Sequence, residues 1–192
     1  MRNKRSGHAL PIIIILVISI ALGGVFELLC LGVERLTHPI KYDGLVSTWS
    51  VQYGVPEYVI YAMIKVESNF DSAKQGEHGK IGLFQLTPEQ YLALANAEHD
   101  PEINAAALYD PNTNIRYGTL YLSKLYQKYG MWSTVYAAWY AGEEAVDAWL
   151  KNPDYTDSDF GTLIKVPNKK IAKAAEKVVK AQEIYEKLYY AK

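Results

Sequence analysis

Apolar and polar positions along this chain of 192 residues follow two regimes. From Pro11 to Phe26 the sequence PIIIILVISIALGGVF is apolar almost without a break, and after Glu27 it resumes as LLCLGV. A run with no polar face does not suit the surface helix of a globular domain, and a buried core helix is the least favoured reading of it. Ala9 to Val33 is long enough to cross a hydrocarbon core of about 30 Å. Arg2, Lys4 and Arg5 precede it, and a basic head before an apolar run marks a signal peptide or a signal anchor. The small-x-small triplet Ala21-Leu22-Gly23 allows cleavage near Gly23 and secretion. Because apolar residues continue past Gly23, the uncleaved anchor is favoured. The head then stays in the cytoplasm and the remainder lies outside. The expected organisation is a cytoplasmic basic head at 1–8, a transmembrane signal anchor at 9–33 and a linker at 34–41, with Pro39 breaking any helix that runs out of the membrane.

From Tyr42 onward the pattern turns to helical spacing. Leu45, Val46, Trp49 and Tyr53 share one apolar face. Gly54 ends that helix and Pro56 opens the next, predicted over Pro56–Phe70 with Val59, Ile60, Met63, Ile64 and Val66 inward. Residues 71–80 are polar and glycine-bearing, a loop. Thr87-Pro88-Glu89-Gln90 reads as a capped helix start, with Gln90 in the capping-box position. The stretch from Leu92 to Ala107 is helical in pieces. Helices follow over Asn112–Tyr129, Met131–Ala141 and Glu143–Leu150. Asn152–Val166 is a polar loop with room for a short hairpin. Lys169–Tyr190 is a last long helix striped by Ile171, Ala175, Val178, Val179, Ile184 and Leu188. The fold class is all-α, with one domain over 42–192.

Composition narrows the function. Hydrophobic residues make up 49% of the chain, enough for a real core, and the formal net charge is −1. No basic stripe or zinc-finger spacing points to nucleic acid. Tyrosine stands out, at 16 residues with 4 Trp against 4 Phe. Such rings suit sugar binding, and equally suit helix seams with the hydroxyl at the surface. Cys30 is the one cysteine. It precludes an intramolecular disulfide, and Leu28-Leu29 before it argue against lipidation. The four histidines are dispersed and no metal-ligand spacing recurs, so neither metal nor cofactor is expected.

Glu67 is the candidate for chemistry. It lies near the C-terminal end of a helix among apolar neighbours, in Ile64-Lys65-Val66-Glu67-Ser68-Asn69-Phe70. Burial there disfavours its ionised form and raises its pKa, as a proton donor to a glycosidic oxygen requires. On local context alone the same residue could be an ordinary surface glutamate.

The wider pattern is more specific. Glu67-Ser68-x-Phe70-Asp71 is followed by a glycine loop and then by Gly82-Leu83-Phe84-Gln85, whose glutamine stands 18 residues after the glutamate. Asp110-Pro111, Asn114-Ile115, Gly118, Tyr121-Leu122 and Ala138-Trp139-Tyr140-Ala141-Gly142 follow in order. From about Tyr42 to Tyr189 the chain resembles lytic transglycosylases of the soluble-transglycosylase type, related in fold to goose-type lysozyme. The resemblance implies a lysozyme-like helical domain. Its substrate would be the glycan strands of peptidoglycan, cut at the β-1,4 bond between N-acetylmuramic acid and N-acetylglucosamine. The muramic 6-hydroxyl would close on C1 to leave a 1,6-anhydro end. Glu67 would act first as acid and then as base, Ser68 would help hold the site and Gln85 would bind substrate. Leu83 and Phe84 would line the groove, with Trp139 and Tyr140 as further substrate contacts.

Departures from the family pattern are informative. Trp139 stands where the family has the tyrosine of Ala-Tyr-Asn-Ala-Gly, which costs a hydroxyl, and Tyr140 replaces the asparagine. A loop serine falls on Gly76. After Val166-Pro167, the family's glutamate, threonine and tyrosine fall on Lys170, Ile171 and Ala174. Two alternatives stay open. One is a hydrolytic muramidase with a second carboxylate from Glu77, Glu89, Asp110, Glu143 or Glu144. The other is a non-catalytic wall-binding relic. Protein partners are not legible.

Overall fold

The computed structural model describes residues 9–100, 104–157 and 161–191. The expected basic head at 1–8 lies outside the described residues. The chain divides after Pro39 into two compact units.

The first unit holds α1 (Ala9–Thr37), which runs four residues beyond the predicted Val33. The His38 N–H still reaches the Glu34 carbonyl, and Pro39 follows, so the break falls where proline removes the next donor. The expected linker at 34–41 is therefore helical in its first half. Ile20, Leu22, Phe26, Leu28 and Leu29 are all exposed. Leu16–Thr37 is apolar and long enough to cross a membrane, with a mean hydropathy of 2.3 and none of it buried. A core helix would be covered by protein; this one is not.

Among the described residues, the second unit holds seven further α-helices. α2 (Asp43–Tyr53) ends at Gly54 and α3 (Glu57–Glu67) follows Pro56. After a loop come α4 (Pro88–Ala97), α5 (Pro111–Tyr129), α6 (Trp132–Ala141) and α7 (Glu143–Leu150). A small antiparallel hairpin, β1 (Thr156–Asp157) with β2 (Thr162–Leu163), precedes α8 (Lys169–Tyr185), which loosens into a π turn over Glu186–Tyr190. Local chemistry sets these boundaries. Thr87 and Gln90 form the expected reciprocal capping box. Asp110 accepts from the Thr113 N–H at 2.8 Å, and Pro111 opens α5.

α3 is the central strut, packed chiefly on α8, and α6 packs on α8 as well. Val59, Ile60, Met63 and Ile64 are fully buried as predicted, whereas Val66 is only partly buried. Tyr61 stacks on Tyr185 with ring centroids 5.5 Å apart. Most of the fully buried large rings are tyrosines, so many of the surplus tyrosines serve helix seams. α3 also stops earlier than predicted. Asn69 and Phe70 both take left-handed backbone angles, which turns the chain sharply and drives Phe70 back into the core. Glu67, rather than Phe70, is the last helical residue, at the edge of the packed interior.

Candidate active site

Two walls enclose the Glu67 carboxyl. One is the loop over residues 71–87, and the other is formed by α6 and the start of α8. Between them lies a 480 Å³ cavity lined on the loop side by Lys74, Glu77, Lys80 and Gln85, and on the helix side by Tyr140 and Lys170.

Glu67 is 9% exposed. Its Oε1 accepts a hydrogen bond from the Tyr140 hydroxyl at 2.5 Å. Burial pushes the carboxyl above its ordinary value. The Tyr140 hydrogen bond and the Lys80 and Lys74 charges oppose this without cancelling it. Burial and the neighbouring carboxylate push the Tyr140 phenol far above its usual range, so it acts as a donor that stays protonated. A protonated carboxyl held beside an open cavity can deliver a proton to a bound oxygen and then take one back.

Trp139 does lose the family's hydroxyl at its position, but the site does not. Trp139 is buried, with its ring 5.9 Å from Phe84 and 5.2 Å from Tyr121. Tyr140, one residue later on α6, turns its hydroxyl to the acid. The replacement of the asparagine thus supplies the phenol that the change at 139 removes.

Gln85, at a left-handed backbone position, donates through Nε2 to the Gly82 carbonyl at 2.8 Å and the Lys74 carbonyl at 3.1 Å. Its oxygen lies against Gly76. A Cβ at Gly76 would come within 2.2 Å of Gln85 Oε1. The serine expected there would displace the glutamine, so Gly76 and this placement of Gln85 go together.

Other expected site residues are structural. Leu83 and Phe84 have no exposed surface and do not line the groove; they anchor the loop wall from beneath. The Phe84 ring sits directly on Gly118 of α5, where a Cβ would meet it at 2.2 Å. Ser68 is buried and donates to the Ile64 carbonyl at 3.1 Å, closing the end of α3 instead of facing substrate. Of the seven residues expected, Glu67, Gln85 and Tyr140 reach the cavity.

The loop wall depends on a residue given no role from sequence. Asn114 is fully buried on α5. Its Oδ1 accepts from the Phe84 N–H at 2.8 Å, and its Nδ2 donates to the Ile81 carbonyl at 3.0 Å and the Leu108 carbonyl at 2.8 Å. The signal was its fixed place after Asp110-Pro111. Lys74, whose ammonium donates to the Glu67 backbone carbonyl, was also missed, because loop lysines look like solvated residues.

Among the carboxylates weighed as a second catalytic group, Asp110 caps α5 and Glu143 pairs with Lys128 at 2.8 Å. Only Glu77 shares the Glu67 cavity. Lys170, Ile171 and Ala174, where the pattern departs, line that cavity too.

This arrangement has known relatives. The soluble lytic murein transglycosylase of Escherichia coli (strain K12) is 30% identical over 118 residues, covering 59% of this chain and 18% of that protein. The membrane-bound lytic murein transglycosylase E of Buchnera aphidicola subsp. Acyrthosiphon pisum is 32% identical over 93 residues, covering 46% of this chain and 41% of that one. The chain thus spans less than half the length of either. The crystal structure of the 70 kDa soluble lytic transglycosylase of Escherichia coli superposes with a TM-score of 0.75 at 24% identity, over 83% of this chain and 26% of that one. Its complex with bulgecin A superposes at 0.74 over the same shares. At this identity the structures establish a shared, lysozyme-like helical fold. The transglycosylase SLT domain model matches residues 44–159, well over half of the chain, and the chain belongs to that family.

Proposed function

We propose that this protein is a membrane-anchored peptidoglycan lytic transglycosylase that cuts the β-1,4 bond between N-acetylmuramic acid and N-acetylglucosamine. The observation that carries this reading is the buried Glu67 carboxyl, raised in pKa and held by Tyr140 at the mouth of a groove, in a domain of the SLT family. Protonated Glu67 gives its proton to the glycosidic oxygen as the C1–O bond breaks and positive charge develops at C1. The resulting carboxylate then takes the proton of the muramic 6-hydroxyl, whose oxygen closes on C1. Water is not consumed, and the product carries a 1,6-anhydro end. Gln85 and Tyr140 position the sugar and the acid. Ser68, Leu83, Phe84 and Trp139 hold those groups in place from behind.

The names of the relatives, soluble and membrane-bound lytic murein transglycosylases, support the substrate class. The exposed apolar surface of α1 supports anchoring by residues 9–33, with the helix continuing to Thr37, and the Arg2, Lys4 and Arg5 head supports an extracytoplasmic domain over 42–192. A C-terminal tag should then be digested by protease on intact spheroplasts; protection would reverse the orientation.

Mass spectrometry of muropeptides released from insoluble wall tests the chemistry. Anhydro ends are expected. Free reducing ends that accept borohydride would favour hydrolysis, with Glu77 as the water-activating partner to test first, since it shares the cavity.

A further inference from the structure

The second wall of the groove carries a charge pattern that the reaction does not use. α8 begins at Lys169, and its first turn holds Lys169 and Lys170 with no acidic residue. Cations there oppose the helix dipole. Lys169 and Lys173, and again Lys173 and Lys177, stand four apart on one helix, where like charges repel. Lys170, Lys173 and Lys177 are all exposed. Among the described residues, none of the three lies within ion-pair distance of a carboxylate; Glu176 pairs with Lys180 and feels the Lys173 charge only at longer range.

These lysines are not scattered. A 380 Å³ cavity shares Glu67, Tyr140, Lys170 and Ala174 with the main groove and continues along α8 past Val66, Lys173 and Lys177. Among the described residues that line it, the only carboxylate is Glu67 itself. Across the main groove stand Lys74 and Lys80, against the single acid Glu77. The branch leaving the catalytic carboxyl is therefore cationic along its length.

We propose that Lys170, Lys173 and Lys177 form a subsite for the free carboxylates of the peptide stem carried by the muramic residue being cut. This rests on the wall-cleaving reading above. With the scissile bond at Glu67, the stem of that muramic residue leaves the strand close by, where the branch opens. An anionic stem would offset both the lysine–lysine repulsion and the unfavourable dipole term, which a stem with amidated carboxylates would not.

The full-length protein in detergent is assayed on two walls, one native and one with its stem carboxylates converted to amides. Both are first stripped of phosphodiester-linked polymers with hydrofluoric acid, so that stem carboxylates are the anions compared. Exposed ion pairs contribute modestly, so three of them predict a KM roughly three- to thirtyfold lower on the free-carboxylate wall. Added salt should erase the difference. K170Q/K173Q/K177Q should bring the ratio of the two KM values close to one, and K170R/K173R/K177R should restore it. Equal KM values for wild type on both walls, or a ratio unchanged in the glutamine variant, would overturn the subsite. Co-sedimentation of Glu67→Gln protein with the same two walls reads the subsite without catalysis. Preference for the free-carboxylate wall there, with no cleavage by wild type, would keep the subsite and sink the transglycosylase reading. Equal sedimentation with both walls would sink the subsite alone.

Discussion

The two walls around Glu67 are built on opposite principles. The loop wall has little regular structure, so hydrogen bonds into the interior define its shape: Asn114 clasps three backbone groups and Gln85 ties two carbonyls. The helix wall relies less on such ties, although the Tyr136 hydroxyl of α6 donates to the Gln182 side chain of α8. α8 is fixed from behind by Ala175, Val178, Ala181 and Tyr185, while its own backbone bonds satisfy its polar groups. Outward positions such as 170 and 173 can change without disturbing that stripe. The departures from the family pattern follow this division. On the helix wall a lysine, Lys170, stands where the family pattern has a glutamate, whereas on the loop wall Gly76 is geometrically coupled to Gln85.

Glu67 stands where the walls meet, and its removal should give the largest effect. Glu67→Gln should lower wall turnover by about 10²- to 10⁴-fold or more, since in the proposed mechanism one group serves as acid and base. Because the folded carboxyl titrates above its ordinary value, its charge is disfavoured in the native state. The wild type is thus progressively less stable than the variant as pH rises from the ordinary carboxylate range through the raised value. Melting temperatures should coincide at low pH, with the variant higher at neutral pH. A variant that cleaves wall at a comparable rate would remove Glu67 from the chemistry.

Asn114→Ala attacks the loop wall at its clasp. Three backbone partners lose their hydrogen bonds, at about 1–3 kcal/mol for each buried group left unpaired. For a chain of this size the melting temperature should fall by roughly 10 °C or more. A drop of only a degree or two would mean that the loop holds itself, and the contrast between the walls would fail.

Tyr140→Phe probes the helix side at the acid. The phenol hydrogen bond lowers the Glu67 pKa, so its loss should move the alkaline limb of kcat/KM to higher pH. Turnover should also fall, by roughly tenfold, as the carboxyl loses its orientation. A pH profile that does not move would mean that the contact is absent in solution.

The smallest effect is expected at Lys169, exposed in the first turn of α8. Lys169→Glu places an acid at the positive end of the helix and should add about 0.3–1 kcal/mol, a rise of a few degrees at most. A loss of several degrees would show that the helix wall is not the tolerant partner described here.

Much of this protein is legible without coordinates, because local chemistry fixes it. Thr87 with Gln90, Asp110 with Pro111, and the glycines at 54 and 130 mark helix ends through backbone groups only a few residues away. The apolar run of α1 and the inward face of α3 follow from periodicity, and Glu67 stands out through its motif. Tertiary structure decided what depends on distant groups. Whether Phe84 faces substrate or core turns on Gly118 and Asn114, about thirty residues on in the chain. Which of Trp139 and Tyr140 meets the acid is set by how α6 is rotated against α3, and neighbouring residues on a helix point about 100° apart. The end of α3 at Glu67 was settled by Phe70 turning back into the core, a long-range packing gain that overrides local helix preference.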